Sequence, residues 1–169
     1  MFARSILLVL AMSGVIAGCG GQGATTSVST APSTNTAPSP SASAAVTIFE
    51  RRGQALCREL LRASTNGAQQ AASTPTALAT AERHALAASA RFYHELEALD
   101  APRALAPYVR EYLALERRDD AVWRRIVARL DVGTPIPNAI GPDQSTVLSD
   151  VAQGNALVTR LGLTDCATG

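Results

Sequence analysis

The chain predicts an all-α fold, an antiparallel up-down-up-down four-helix bundle. Three observations lead there. Four stretches from residue 46 onward carry apolar residues at helical spacing, no segment of strand length alternates with period two, and the connections are short or modest. Segment 46–169 is also the size of one domain and large enough to bury a core.

The first helix is expected over about Val46 to Ala63, with Val46, Phe49, Gly53, Leu56, Cys57 and Leu60 on one face and Arg51, Arg52, Arg58, Glu59 and Arg62 opposite. Asn66-Gly67 reads as its stop, with a fraying continuation through Gln70 to Ala72 as the alternative. Thr74 and Pro75 then suit the N-cap and first position of a second helix reaching about Leu99. Its core stripe is Leu78, Ala81, Ala85, Ser89, Phe92, Tyr93, Leu96 and Leu99, which leaves His84 and His94 on the wet face. The third helix follows Asp100-Ala101-Pro102 and must hold Pro107 near its first turn, because a deeper proline removes a backbone bond and clashes. It runs to about Leu130 with Tyr108, Val109, Tyr112, Leu115, Val122, Trp123, Ile126, Val127 and Leu130 inward. Residues 131–142, rich in glycine and proline, read as a loop. A fourth helix from about Asp143 to Leu161 carries Val147, Val151, Gly154, Val158 and Leu161, and Gly162 suits a left-handed stop with Leu163 folding back.

Ahead of the domain, Arg4 and the apolar run from Ser5 to Val15 have signal-peptide order. The run is too short to span a bilayer, at roughly 20 Å against ~30 Å of hydrocarbon. It ends at Ile16, Ala17, Gly18 and Cys19, which resembles the lipobox of bacterial lipoproteins. That resemblance implies a signal peptide over 1–18, a lipid-modified Cys19, and a domain held on the extracytoplasmic face of the cell membrane, with the bilayer as partner through the acyl chains. An ordinary secretory site beside an unrelated cysteine is the plainer alternative; the fit of all four positions favours the lipobox. Residues 20–45 carry neither charge nor aromatic ring and are mostly Gly, Ser, Thr, Ala and Pro, so 19–45 reads as a lipidated cysteine and tether, ~30 Å end to end as a coil.

With Cys19 assigned to lipid, Cys57 and Cys166 remain as a pair in a disulfide-permissive compartment. One disulfide closing the bundle is the economical reading. For the sulfurs to meet, the tail after Leu163 must run back beside the first helix. The whole plan is similar to small two-cysteine helical lipoproteins of high-GC Gram-positive bacteria, a likeness that implies an address and no reaction.

Candidate sites are few. Glu82 and Asp119 interrupt apolar stripes and, counted from the turn near Ala101, fall at one level of an antiparallel pair. Paired carboxylates there would take up a proton or a hard cation, whereas small helix rotations would bring both to the boundary beside Arg83 or Arg118. The second arrangement is the commoner. Arg117, Arg118, Arg124 and Arg125 form a charged stripe on the third helix, read either as a solvated face or as a docking face for an acidic partner or anionic headgroups; Asp120 is expected beside Arg124 on it. His84 and His94 are turned apart and cannot share a metal, so neither metal nor cofactor is expected.

No nucleophile elbow, phosphate loop or cysteine with a nearby histidine is present, and no enzymatic activity is expected. Without the leader the chain holds fourteen arginines, no lysine and fourteen acids. That balance argues against a nucleic-acid partner. The expected role is an interaction or scaffold module of the cell envelope. The alternative is a carrier of a small apolar ligand in the bundle core, suggested by alanine-rich helices and by Gly53 and Gly154 at packing positions.

Overall fold

The computed structural model describes residues 40–68 and 74–167; the leader, Cys19 and the expected tether as far as residue 39 lie outside these. Every regular element among the described residues is helical. Helix α1 spans Pro40–Ala68, α2 Pro75–Glu97, α3 Ala106–Asp131, the short α4 Ile136–Ile140, and α5 Gln144–Arg160. Single 3₁₀ turns occupy Gly141–Asp143 and Thr164–Cys166.

Local chemistry sets most of these limits. Thr74 is extended at φ −134° and its hydroxyl accepts from the Ala77 amide at 3.2 Å, with proline next in the chain. Pro107 lies in the first turn of α3, where its missing N–H is not required. Two Schellman ends follow glycines in the left-handed region. At Gly133 (φ +82°), Thr134 N–H donates to Arg129 C=O and Gly133 N–H to Leu130 C=O. At Gly162 (φ +69°), Leu163 N–H donates to Val158 C=O and Gly162 N–H to Thr159 C=O.

Helix α1 and the expected loop 131–142 differ from expectation. Helix α1 takes in 40–45, the last part of the expected tether, and continues past Asn66-Gly67 to Ala68. Ala42, Ala44 and Ala45 are strong helix formers, and residues 42–45 project as exposed turns. Within the expected loop 131–142, Ile136–Ile140 forms a helical turn because Ala139 and Ile140 are buried as a lid on the core.

Cross-helix contacts establish the up-down order. Between α1 and α2, Phe49 shares a notch with Leu99, while Glu59 pairs with Arg91 further along. Between α2 and α3, Tyr93 meets Glu116, and Arg83 reaches Asp131 near the far end. Between α3 and the last helix, Arg118 meets Asp150 and Arg125 meets Asp143. In each pair one number rises as the other falls, so successive long helices are antiparallel.

The core has two parts. The lower cluster gathers Phe49, Cys57 and Leu60 of α1 with Phe92, Leu96, Val109, Tyr112, Leu157, Val158, Leu161 and Leu163. The upper cluster, Leu78, Leu86, Val122, Trp123, Ile126, Leu130, Ile140 and Val147 among others, draws on α2, α3, α4 and α5, and no described side chain of α1 belongs to it.

The tail after α5 runs back along α1. Leu163 fills the space that a side chain on Gly53 would occupy. Gln54 Nε2 donates to Gly162 C=O and Thr164 Oγ1, its Oε1 accepts from Asp165 N–H, and Arg58 pairs with Asp165 at 2.7 Å. The Cys57–Cys166 disulfide closes the path, with Cα atoms 5.0 Å apart.

The two glycine turns should respond differently to alanine. At Gly133 nothing lies within 4 Å of the new Cβ, so only the left-handed backbone opposes it, at about 1–2 kcal/mol. At Gly162 the Cβ would also fall 2.5 Å from Glu50 Oε1 and 2.8 Å from its Cγ. Urea unfolding should show the larger loss for Gly162→Ala, partly restored by adding Glu50→Ala; equal losses would remove the Glu50 contact from the account.

Candidate functional site

The chemically distinctive region is a belt of buried acids near the junction of the two apolar clusters, with Glu82 set apart from it between Leu78 and Leu86 of the upper cluster. Glu82 on α2, Glu116, Asp119 and Asp120 on α3, and Asp150 on α5 are all between 1% and 6% exposed, and Ser89 joins them from α2. Burying carboxylates is costly unless donors meet them. Tyr93 Oη donates to Glu116 Oε2 at 2.7 Å and lies 3.5 Å from Asp120 Oδ1. Arg118 reaches over from the surface, donating to Asp150 Oδ1 at 2.5 Å and to Oδ2 at 3.4 Å. Burial first, then the charge and hydrogen bond of Glu116 and the charge of Asp119, hold the Tyr112 phenol well above its ordinary pKa, so it stays protonated across the physiological range.

One oxygen each of Glu82, Glu116 and Asp119 is buried without a hydrogen-bond partner, although none of the three residues is isolated. Among the described residues no group of three or more His, Cys, Asp or Glu side chains is arranged to hold a metal ion.

Both sequence-selected acids lie inside, Glu82 at 1% and Asp119 at 2% exposure, and not at the boundary. The expected screening cations form their ion pairs with other acids, Arg83 with Asp131 and Arg118 with Asp150, while the charge of Asp119 still acts on Arg118. Glu116 and Asp120 escaped the sequence reading. Asp120 was expected on the exposed arginine stripe and is instead 6% exposed beside Tyr93. The signal for Glu116 was in the spacing. Val109, Tyr112, Glu116, Asp119, Trp123, Ile126 and Leu130 follow one another at steps of three and four, so two acids occupy the middle of the core seam. His84 and His94 are exposed.

The arginine stripe of α3 is largely engaged within the chain. Arg117 pairs with Glu97 at 2.9 Å, Arg118 with Asp150, and Arg125 with Asp143 at 2.8 Å. Arg129, a turn further on, also pairs with Asp143 and donates through Nε to Ala139 C=O at 2.7 Å. Hydrogen bonds from Arg125 and Arg129, more than their charges alone, hold Asp143 below the usual carboxylate range. Arg124 is exposed. Three of the four residues expected to form a docking face thus tie α3 to its neighbours.

Compared with known proteins, the chain matches no family model, no curated protein and no solved structure. The interior at Gly53, a packing position expected to leave room for a ligand, is filled by Leu163. A half-enclosed groove of about 270 Å³ lies instead between α1 and α2, lined by Leu56, Leu60, Ala63, Ala87, Ala88 and Phe92.

Two measurements check this geometry. Tyr93→Phe leaves Glu116 Oε2 without its phenolic donor and should lower stability by about 1–3 kcal/mol in urea unfolding. Adding Glu116→Gln, which replaces the buried charge by a neutral amide, should return part of that loss; an unchanged Tyr93→Phe midpoint would discount the bond.

Asp143, with its pKa lowered in the folded state, stabilises the fold at pH values above the unfolded carboxylate range, and that contribution disappears as pH falls through the folded pKa. The stability difference between wild type and Asp143→Asn should be constant near neutrality and shrink on acidification. A difference that grows toward low pH contradicts the pairing.

Proposed function

We propose that this chain is a membrane-anchored extracytoplasmic lipoprotein, attached through acylated Cys19, whose helical domain is an interaction or scaffold module of the cell envelope. The observation that carries the reading is the bond between Cys57 and Cys166. Such bonds persist in oxidising, exported compartments, and this one leaves Cys19 as the odd cysteine at the end of an apolar leader. Among the described residues no helix is long and apolar enough to cross a membrane, so attachment in this reading falls to the lipid. Two or more acyl chains suffice for a stable anchor, where one is marginal.

A second reading, carriage of a small apolar ligand, is favoured by one observation, the groove between α1 and α2. It places the ligand at a helix seam and not in the bundle core.

Metabolic labelling with a radioactive or clickable palmitate tests the anchor. Wild type should take up label, lose residues 1–18 by intact mass and sediment with membranes, and Cys19→Ser should take up none. Absence of label from wild type, or label retained by Cys19→Ser, would end the lipoprotein reading. Crosslinking and mass spectrometry in the native envelope then identifies the partner of the module.

A further inference from the structure

The groove between α1 and α2 has an apolar floor and a charged lip. Leu56, Leu60 and Ala63 from α1 face Ala87, Ala88 and Phe92 from α2. It exists because three of those six positions are alanine, too short to fill the space between two helix backbones. Its volume of about 270 Å³ approaches twice that of an apolar cavity known to hold benzene, which is about 150 Å³. Along the lip stand Glu59 of α1, and Arg91 and Glu95 of α2. Arg91 bridges the seam, its Nε 2.8 Å from Glu95 Oε1 and an Nη 3.1 Å from Glu59 Oε1.

We propose that this groove binds a small cationic amphiphile of the alkylammonium class, with its chain on the alanine-lined floor and its head between Glu59 and Glu95. The inference rests on the carrier reading and names its ligand. Charge decides the class. Two carboxylates share a single guanidinium, so the lip carries one negative charge in excess. An anionic amphiphile would have to draw Arg91 away from both carboxylates and then lie against them. A cation needs to displace Arg91 from one alone, and Arg91 keeps the other. The lip is exposed, with Arg91 at 68% and Glu59 at 55%, so this exchange is cheap and the head stays hydrated while the chain is buried.

Isothermal titration of the full chain carrying Cys19→Ser, which bears no lipid, compares n-octylammonium, 1-octanol and octanoate. Octylammonium should bind with one-to-one stoichiometry and most tightly, octanoate most weakly, and added salt should narrow the gap. Glu59→Gln and Glu95→Gln should each weaken octylammonium by about two- to fivefold without altering octanol, the range expected of an exposed ion pair. Arg91→Ala, which removes the competing cation, should strengthen it. Ala87→Leu should fill the groove and abolish binding of all three. Should that variant lose its helical circular dichroism, Ala88→Val makes the same test.

Octanol binding as tightly as octylammonium would overturn the cationic preference and leave the carrier reading standing. If none of the three binds, or binding ignores Ala87→Leu and Ala88→Val, both fail.

Discussion

The attachment of α1 depends on the returning tail. Helix α1 enters the lower cluster through Phe49, Cys57 and Leu60, and none of its described side chains belongs to the upper one. On one flank it packs against α2; on the other the Thr164–Cys166 turn takes the place a fourth helix wall would hold. Gly162 turns the chain, Leu163 occupies the notch at Gly53, and Gln54 satisfies two oxygens and one amide of the tail. A glycine inside a helix is destabilising by roughly 0.5–1 kcal/mol relative to alanine, and burial of a leucine there returns more, about 1.5–3 kcal/mol. The disulfide makes this arrangement permanent. In the chain-entropy model, a link across 109 residues restricts the unfolded state by about 4–5 kcal/mol.

The acid belt adds no comparable stability. Removing carboxylates from water is expensive, and interior ion pairs often fail to recover the loss. What the belt constrains is register. Tyr93 reaches Glu116 from α2, while Arg118 reaches Asp150 on α5, so a slide of α3 past either neighbour would push a carboxylate against the leucines and valines of an adjoining cluster. Apolar seams of similar leucines tolerate such slides far better. The two clusters hold the helices together and the belt near their junction selects one alignment.

Helix periodicity made the bundle legible: nearly every residue placed inward on α1, α2, α3 and α5 is buried or half-buried. The Thr74 cap, the Gly162 stop and the tail returning beside α1 were also readable, because each follows from a local rule or from the reach of one bond. The belt was only half readable. Glu82 and Asp119 stood out as breaks in apolar stripes, but Glu116 and Asp120 were masked by the charged run around them, and charge ordinarily signals solvent. Ala139 and Ile140 were hidden for the opposite reason, since the prolines around them suggested an irregular loop. Side-chain pairing was the least legible layer. Exposed arginines look alike in sequence whether they face water or a carboxylate on the next helix.

That pairing explains why the groove lies where it does. The chain has no lysine, and the planar fork of arginine holds its geometry better than an ammonium when it spans two helices. Along α3 such forks reach Glu97 on one side and Asp150 and Asp143 on the other, the latter two carboxylates being largely buried. Those seams are closed by charge and by the clusters beneath. At the α1–α2 seam the crossing pair, Arg91 with Glu59, is exposed at both ends, and such pairs contribute about 0–1 kcal/mol. Alanines below leave the helices a gap that no side chain among the described residues fills. A ligand opening this seam therefore breaks one exposed ion pair and leaves the α2–α3–α5 unit, with its belt in register, undisturbed.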